Sequence, residues 1–205
     1  GIDGVEQFVS TPELHSDEAI DSDPLPPGQV WAISPGGEAG PGLCRIEATV
    51  GPGSGIKVLN YPTPPAFRES VKVGEQNLYA RSKELIGNRD PRSHAFSIQL
   101  RAMDADKSGI GLGLPVAIAL VSGLLERNTR GGTIVVGPMN LGGSIEPLGN
   151  PIAIAELAVD KGAANLLMPV SARRQLNDLP DDVWTKVNIE FYKEMSDGVF
   201  KSLDE

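Results

Sequence analysis

After residue 28 the spacing of apolar positions changes several times, and each change marks an element. QVWAISP (29–35), GLCRIEATV (42–50) and GIKVLNYP (55–62) are short β-rich runs. Gly/Pro clusters, SPGGEAGPG and VGPGSG, separate them, so the pattern predicts strands joined by tight turns. PPAFRESVKVGEQNLYARSKELI (64–86) places Phe67, Val71, Leu78 and Leu85 among charges at helical spacing, with Pro65 suited to open the helix. HAFSIQLRAM (94–103) alternates and predicts a strand, and KSGIGLG (107–113) leads into an apolar helix over 114–125.

The second half continues the mixture. GGTIVVGPMN (131–140) predicts a strand, GGSIEPLGN (142–150) a hairpin-like connection, and PIAIAELAVDKG a helix with Gly162 just past its end. ANLLMPV (164–170) reads as a buried strand and ARRQLNDLP (172–180) as a short helix. TKVNIEFYK (185–193) reads as a strand, before a last turn or helix in MSDGVFKSLD. Strands and helices in this order predict an α+β domain around apolar strands. Residues 10–28, STPELHSDEAIDSDPLPPG, are acidic and lack an apolar period, so residues 1–26 are expected to be an arm or linker and 27–205 the domain.

Composition narrows the function classes. With 18 basic against 27 acidic residues the net charge is -9, which argues against a chain that by itself wraps nucleic acid or lies on an anionic membrane. A single cysteine, Cys44, excludes an internal disulfide and suits a reducing cytoplasmic setting; it is expected to be a small packed residue. No apolar run approaches the ~20 residues of a membrane span, and GIDGVEQF is no secretory signal. The first residue is not Met, so the chain is expected to be cut from a longer protein.

KSGIGLG carries Lys107, Ser108 and three alternate glycines before a helix, which suits close approach of a ligand to backbone amides. It completes no phosphate motif. GPGSGIKV (51–58) has Ile56 where a P-loop needs its second glycine, and GIGLG lacks the dinucleotide spacing, so no cofactor is expected in this chain. His15 and His94 stand without metal-ligand spacing and no metal site is expected. No GxSxG elbow seats a serine nucleophile. Asp104 with Asp106, and Asp181 with Asp182, read as solvated loop carboxylates; Arg173 and Arg174 form a basic spot too small for nucleic acid.

Five blocks in order resemble the C-terminal proteolytic domain of Lon proteases, peptidase S16, over 27–205. They are PGQVWAIS with GLCRIEATVGPGSG; FRESVKVGEQNLYARS, similar to the family's ESA-containing helix; DADKSGIGLG, similar to KDGPSAG; VVGPMNLGGSIEPLGN, similar to TGEITLRGxVLPIGG; and ANLLMPVSARRQLNDLP, similar to VLIPxxNxxDLxxIP. The resemblance implies a fold like ribosomal protein S5 domain 2. It also implies peptide hydrolysis by a Ser-Lys dyad, in which a lysine deprotonated near neutral pH serves the serine.

In register, the nucleophile position holds Gly111 and the base position Ile152. Neither can act, so no catalytic residue is expected. Ser108 stands three positions early, and with Lys107 is the outside candidate; a misplacement of ~1 Å is already costly, which makes Ser108 a loop or capping serine. Among Lon-like families the degenerate motifs are most similar to that of bacterial BREX phage-defence systems, an AAA+ motor fused to a Lon-like C-terminal domain and associated with DNA.

That resemblance implies a domain without protease activity serving a ring, commonly a homo-oligomeric hexamer. ATP and Mg would be held by an upstream AAA+ domain, with DNA contacted through other domains and no membrane involved. Two alternatives remain open: an active endopeptidase using non-standard residues, and the Lon-like scaffold of a DNA-recombination ATPase.

Overall fold

The computed structural model describes residues 20–205. Seven strands, β1 (Gln29–Ser34), β2 (Gly42–Pro52), β3 (Ile56–Val58), β4 (His94–Ala102), β5 (Thr133–Val135), β6 (Asn165–Pro169) and β7 (Asn188–Tyr192), form one sheet in the order β3-β4-β2-β1-β5-β6-β7. β1, β2 and β4 pair antiparallel, while β1-β5-β6-β7 and the edge pair β3-β4 are parallel. The carboxyl ends of four parallel strands therefore open onto one rim of the sheet, where α/β folds place their sites.

The period of two in β1 explains why it lies at the centre. Val30 and Ala32 enter one apolar cluster and Trp31 and Ile33 the other, so both faces of the sheet are covered. On the first face lie α1 (Pro65–Ala80), α2 (Ser82–Ile86), α3 (Gly113–Leu125) and α6 (Met195–Ser202); on the second lie α4 (Pro151–Asp160), a 3-10 run (Val170–Asp178) and α5 (Asp181–Lys186). α3 is apolar on every side, and Leu114 and Val116 through Val121 are sealed from solvent, as a helix inside a layer must be. Each large aliphatic side chain buried there contributes about 1.5–3 kcal/mol. Gly74 lets α1 lie on α3 at backbone range, because a Cβ at that position would meet Val116 Cγ1 at 2.6 Å.

The chain docks before the first strand. Ile20 is buried and donates its N–H to Lys161 O at 3.0 Å, Asp21 O accepts from Gly132 N at 2.9 Å, and Leu25 bridges Thr129. These residues close the end of the expected arm onto the domain; residues 1–19, with His15, lie outside the described residues.

Several expected elements are shorter or broken, each for a local reason. The strand expected over 55–62 ends at Val58, because the Asn60 side chain turns the chain by clamping both Leu100 N and Leu100 O. The helix expected over 64–86 breaks at Arg81 (φ -119°, ψ 23°), whose guanidinium reaches Gly142 O at 3.1 Å. Of TKVNIEFYK, the first two residues finish α5 and only Asn188–Tyr192 is strand. The P-loop-like GPGSGIKV is the turn from β2 into β3, with Gly53 and Gly55 at positive φ and no helix following to receive a phosphate.

Candidate functional site, a cleft around Gly111

Four segments meet at the rim of the sheet. They are the turn after β1, the exposed edge of α1, the KSGIGLG loop before α3, and the long connection from β5 to α4. They enclose a cleft of about 500 Å3 whose lining includes Pro35, Gly36, Glu69, Ser70, Ile110, Gly111, Gly113, Pro138, Glu146 and Asn150.

Backbone geometry fixes the loop. Gly109 (φ 72°) and Gly111 (φ 70°) occupy the left-handed region that favours glycine. Space enforces the same choice: a Cβ on Gly109 would lie 2.6 Å from Phe67 Cβ, and one on Gly111 2.9 Å from the Pro35 ring. Ser70, buried on α1, holds the loop from behind; its hydroxyl donates to Gly109 O (2.9 Å) and accepts from Leu112 N (3.2 Å). Ser34 Oγ lies 2.6 Å from Ile110 O and 3.1 Å from Asp106 Oδ2, its one proton shared between the two acceptors.

The carboxylates expected to be solvated are structural instead. Asp104 accepts from Leu43 N (2.7 Å) and pairs with the buried Lys161 Nζ at 2.8 Å, and Asp106 accepts from Ser34 and from both the N–H and hydroxyl of Ser108. The reason is topological: segment 103–108 folds back over the β1–β2 end, where unpaired backbone and side-chain donors need acceptors. Cys44 lies beneath, its Sγ donating to Ala32 O; burial first, and then the Asp106 carboxylate, push its thiol up to about 12. This thiol is inert packing, as its sequence context predicts.

Ser108 donates at 2.7 Å to Asp106 and its Oγ accepts from Ile110 N at 3.3 Å, which is a local turn rather than a nucleophile in the cleft. Lys107 is exposed and does not line the cleft. Ile152 stands in the first turn of α4 and packs against the second apolar cluster. Of the described residues lining the cleft, Ser70 supplies the hydroxyl nearest the loop, and it is engaged twice; none is Lys, Arg or His. The wall carries carboxylates, Glu69 and Glu146, with no amine to act as base.

The remaining candidates scatter. Asp181 and Asp182 are exposed in the first turn of α5, Arg173 stacks over the Phe191 ring at 4.7 Å with Arg174 exposed beside it, and His94 Nδ1 lies 2.9 Å from Asp90 O on the opposite end of β4. Three cleft-forming residues escape sequence reasoning: Ser70, Asn77 and Arg81. Asn77 Nδ2 donates to Asn140 O and Leu141 O, so with Arg81 it ties α1 to the β5–α4 connection, where Met139 bridges Ile145. The available signal was spacing, since Ser70 and Asn77 are polar residues seven apart on the buried face of an amphipathic helix.

A helix-opening glycine loop under α1, facing a long turn before α4, brings together the sequence blocks that resemble a proteolytic-type domain. The sequence profile of the Lon protease (S16) C-terminal proteolytic domain matches residues 3–204, and the chain belongs to this family. It is 28% identical over 199 residues to the Lon-like protease BrxL of Escherichia coli O9:H4 (strain HS) and 25% identical over 203 residues to that of Bacillus cereus (strain H3081.97). Each match covers 97% of this chain and 29% of the relative. A Lon protease of Methylocella silvestris is 29% identical over 157 residues, 75% of this chain and 19% of that protein. The chain thus spans less than a third of the length of these relatives.

Proposed function

We propose that this chain is the Lon-like domain of a BREX-type phage-defence AAA+ ATPase, that it performs no peptide hydrolysis, and that it serves the full-length protein as a ring-assembly platform. The observation that carries the reading is the state of the two dyad positions. Gly111 supplies no nucleophile and its φ of 70° against Pro35 disfavours any side chain there, while Ile152 is committed to apolar packing. Similarity to the two BrxL proteins over 97% of the chain supports the phage-defence assignment. On this reading ATP and Mg bind an upstream domain, DNA meets other domains because this one carries a net charge of -9, the ring is a hexamer, and the protein works in the cytoplasm.

Incubation of the full-length protein with casein and a serine-reactive phosphonate tests the chemistry. The expected result is no cleavage and no labelled serine; labelling of Ser108 that disappears in Ser108→Ala overturns it. Deletion of residues 27–205 from the full-length protein tests the platform. Loss of rings is expected, and retention of rings together with ATP-driven DNA activity overturns the assignment.

A second reading, an active endopeptidase, is favoured by the name of both relatives, Lon-like protease BrxL. Against it stand the hydrogen bonds that turn Ser108 toward Asp106 and the absence of a basic side chain among the described residues of the cleft wall.

A further inference from the structure

A second concavity lies on the other side of α1 from the cleft. It is about 580 Å3 and runs between α1 and the outermost strand β3. Its floor is apolar, with Ile56, Val58 and Val71; Lys57, Arg68 and Lys72 stand around it. Leu59 and Tyr61 are exposed at its end, Tyr61 to 99%.

The backbone of β3 is turned to this groove. Gly55 O accepts from Phe96 N at 2.9 Å and Leu59 N donates to Ile98 O at 2.8 Å, so residues 55, 57 and 59 address β4. By the alternation of a ladder, the N–H and C=O groups of Ile56 and Val58 face the open edge. An unpaired edge beside a helix, with apolar pockets beneath, is the geometry that accepts an extended peptide as an added strand.

Charge identifies the occupant. In a chain with 27 acidic and 18 basic residues, three cations against one carboxylate, Glu75, line this groove. Lys57 and Arg68 form no ion pair among the described residues, and Lys72 meets Glu75 only at 4.0 Å. A second copy of this edge would bring like charges together, which disfavours self-pairing. We infer that the β3–α1 groove binds an extended acidic peptide of a partner protein by strand addition. Its alternate apolar side chains would enter the floor over Ile56, Val58 and Val71, the carboxylates between them would face Lys57 across the strand, and acidic residues flanking the apolar run would meet Arg68 and Lys72 on α1. This inference is independent of whether the cleft hydrolyses peptides.

The test uses a fluorescein-labelled synthetic peptide of about eight residues alternating Glu with Val, titrated into the chain and followed by anisotropy. Saturable binding is expected, with amide shifts at Ile56 and Val58 in NMR spectra. It should weaken about tenfold or more in Lys57→Glu with Lys72→Glu, both exposed positions whose exchange leaves the core intact. N-methylation of the two central Val amides of the peptide should weaken it about tenfold as well, because it removes ladder donors and leaves the charge unchanged. No saturable binding, undiminished affinity for the charge-reversed protein, or equal affinity for the N-methylated peptide overturns the proposal. Preferential binding of a single-stranded oligonucleotide of equal charge overturns it too, in favour of a nucleic-acid groove.

Discussion

The two positions that the proposed reading places at a Lon-type dyad, Gly111 and Ile152, are held in physically different ways. At the loop, the backbone is held by contacts on every side: two glycines in the left-handed region, Phe67 and Pro35 against them, and Ser70 and Ser34 bonded to the carbonyls of Gly109 and Ile110. At the start of α4, the position holds an ordinary helical residue with a half-buried side chain. The loop excludes a side chain; the helix would accept almost any. The two positions therefore place very different limits on what a side chain can do there.

Substitutions can break this contrast. Gly109→Ala should be the most damaging, at about 4 kcal/mol, combining a disfavoured φ with contact against Phe67 and Leu100; urea denaturation measures it, and a cost near zero would show that the loop is loose. Ser70→Ala leaves Gly109 O and Leu112 N without their partner and should cost about 2–3 kcal/mol in the same measurement. Gly111→Ser should cost about 2 kcal/mol, and when combined with Ile152→Lys should still give no phosphonate labelling, since the strained loop misplaces the hydroxyl.

The buried thiol beneath the loop gives a pH signature. Cys44 moves from its ordinary 9.0 to about 12 in the folded chain, so between those values the unfolded state releases its proton first. Native stability present below pH 9 is therefore lost as pH rises toward 12, by up to about 1.4 kcal/mol per pH unit. Cys44→Ala should flatten that limb in denaturation curves taken at pH 9 and 10. Ile152→Lys should have the smallest effect, about 1 kcal/mol, because the half-buried stem lets the ammonium reach water. If it costs more than Gly111→Ser, the contrast between loop and helix is reversed.

The sequence carried most of the fold because the elements are locally consistent: β1 alternates between two cores, α3 is apolar throughout, and Gly162 (φ 77°) stands past the end of α4 as its position implies. It carried the loop's glycines but not their partners. Asp104 and Asp106 look like surface carboxylates in a one-dimensional reading. Their donors, Leu43, Ser34 and Lys161, come from segments 57 to 72 residues away for the side-chain pairs, and only the closed sheet brings them into reach. Arg81 likewise reads as one more charge in a helix until its contact with Gly142 is seen. Long-range hydrogen bonds to backbone leave no periodic trace.

Helix α1 is a partition one helix thick between the cleft and the β3 groove, giving Glu69, Ser70 and Val73 to one and Arg68, Val71, Lys72 and Glu75 to the other. Sideways movement that widens one chamber must narrow its neighbour. Gly74 seated on Val116 anchors the partition to α3, and the bonds of Ser70, Asn77 and Arg81 hold it along its axis. The widths of the two chambers are thus set by a single wall, and no substitution that shifts that wall can tune one chamber alone.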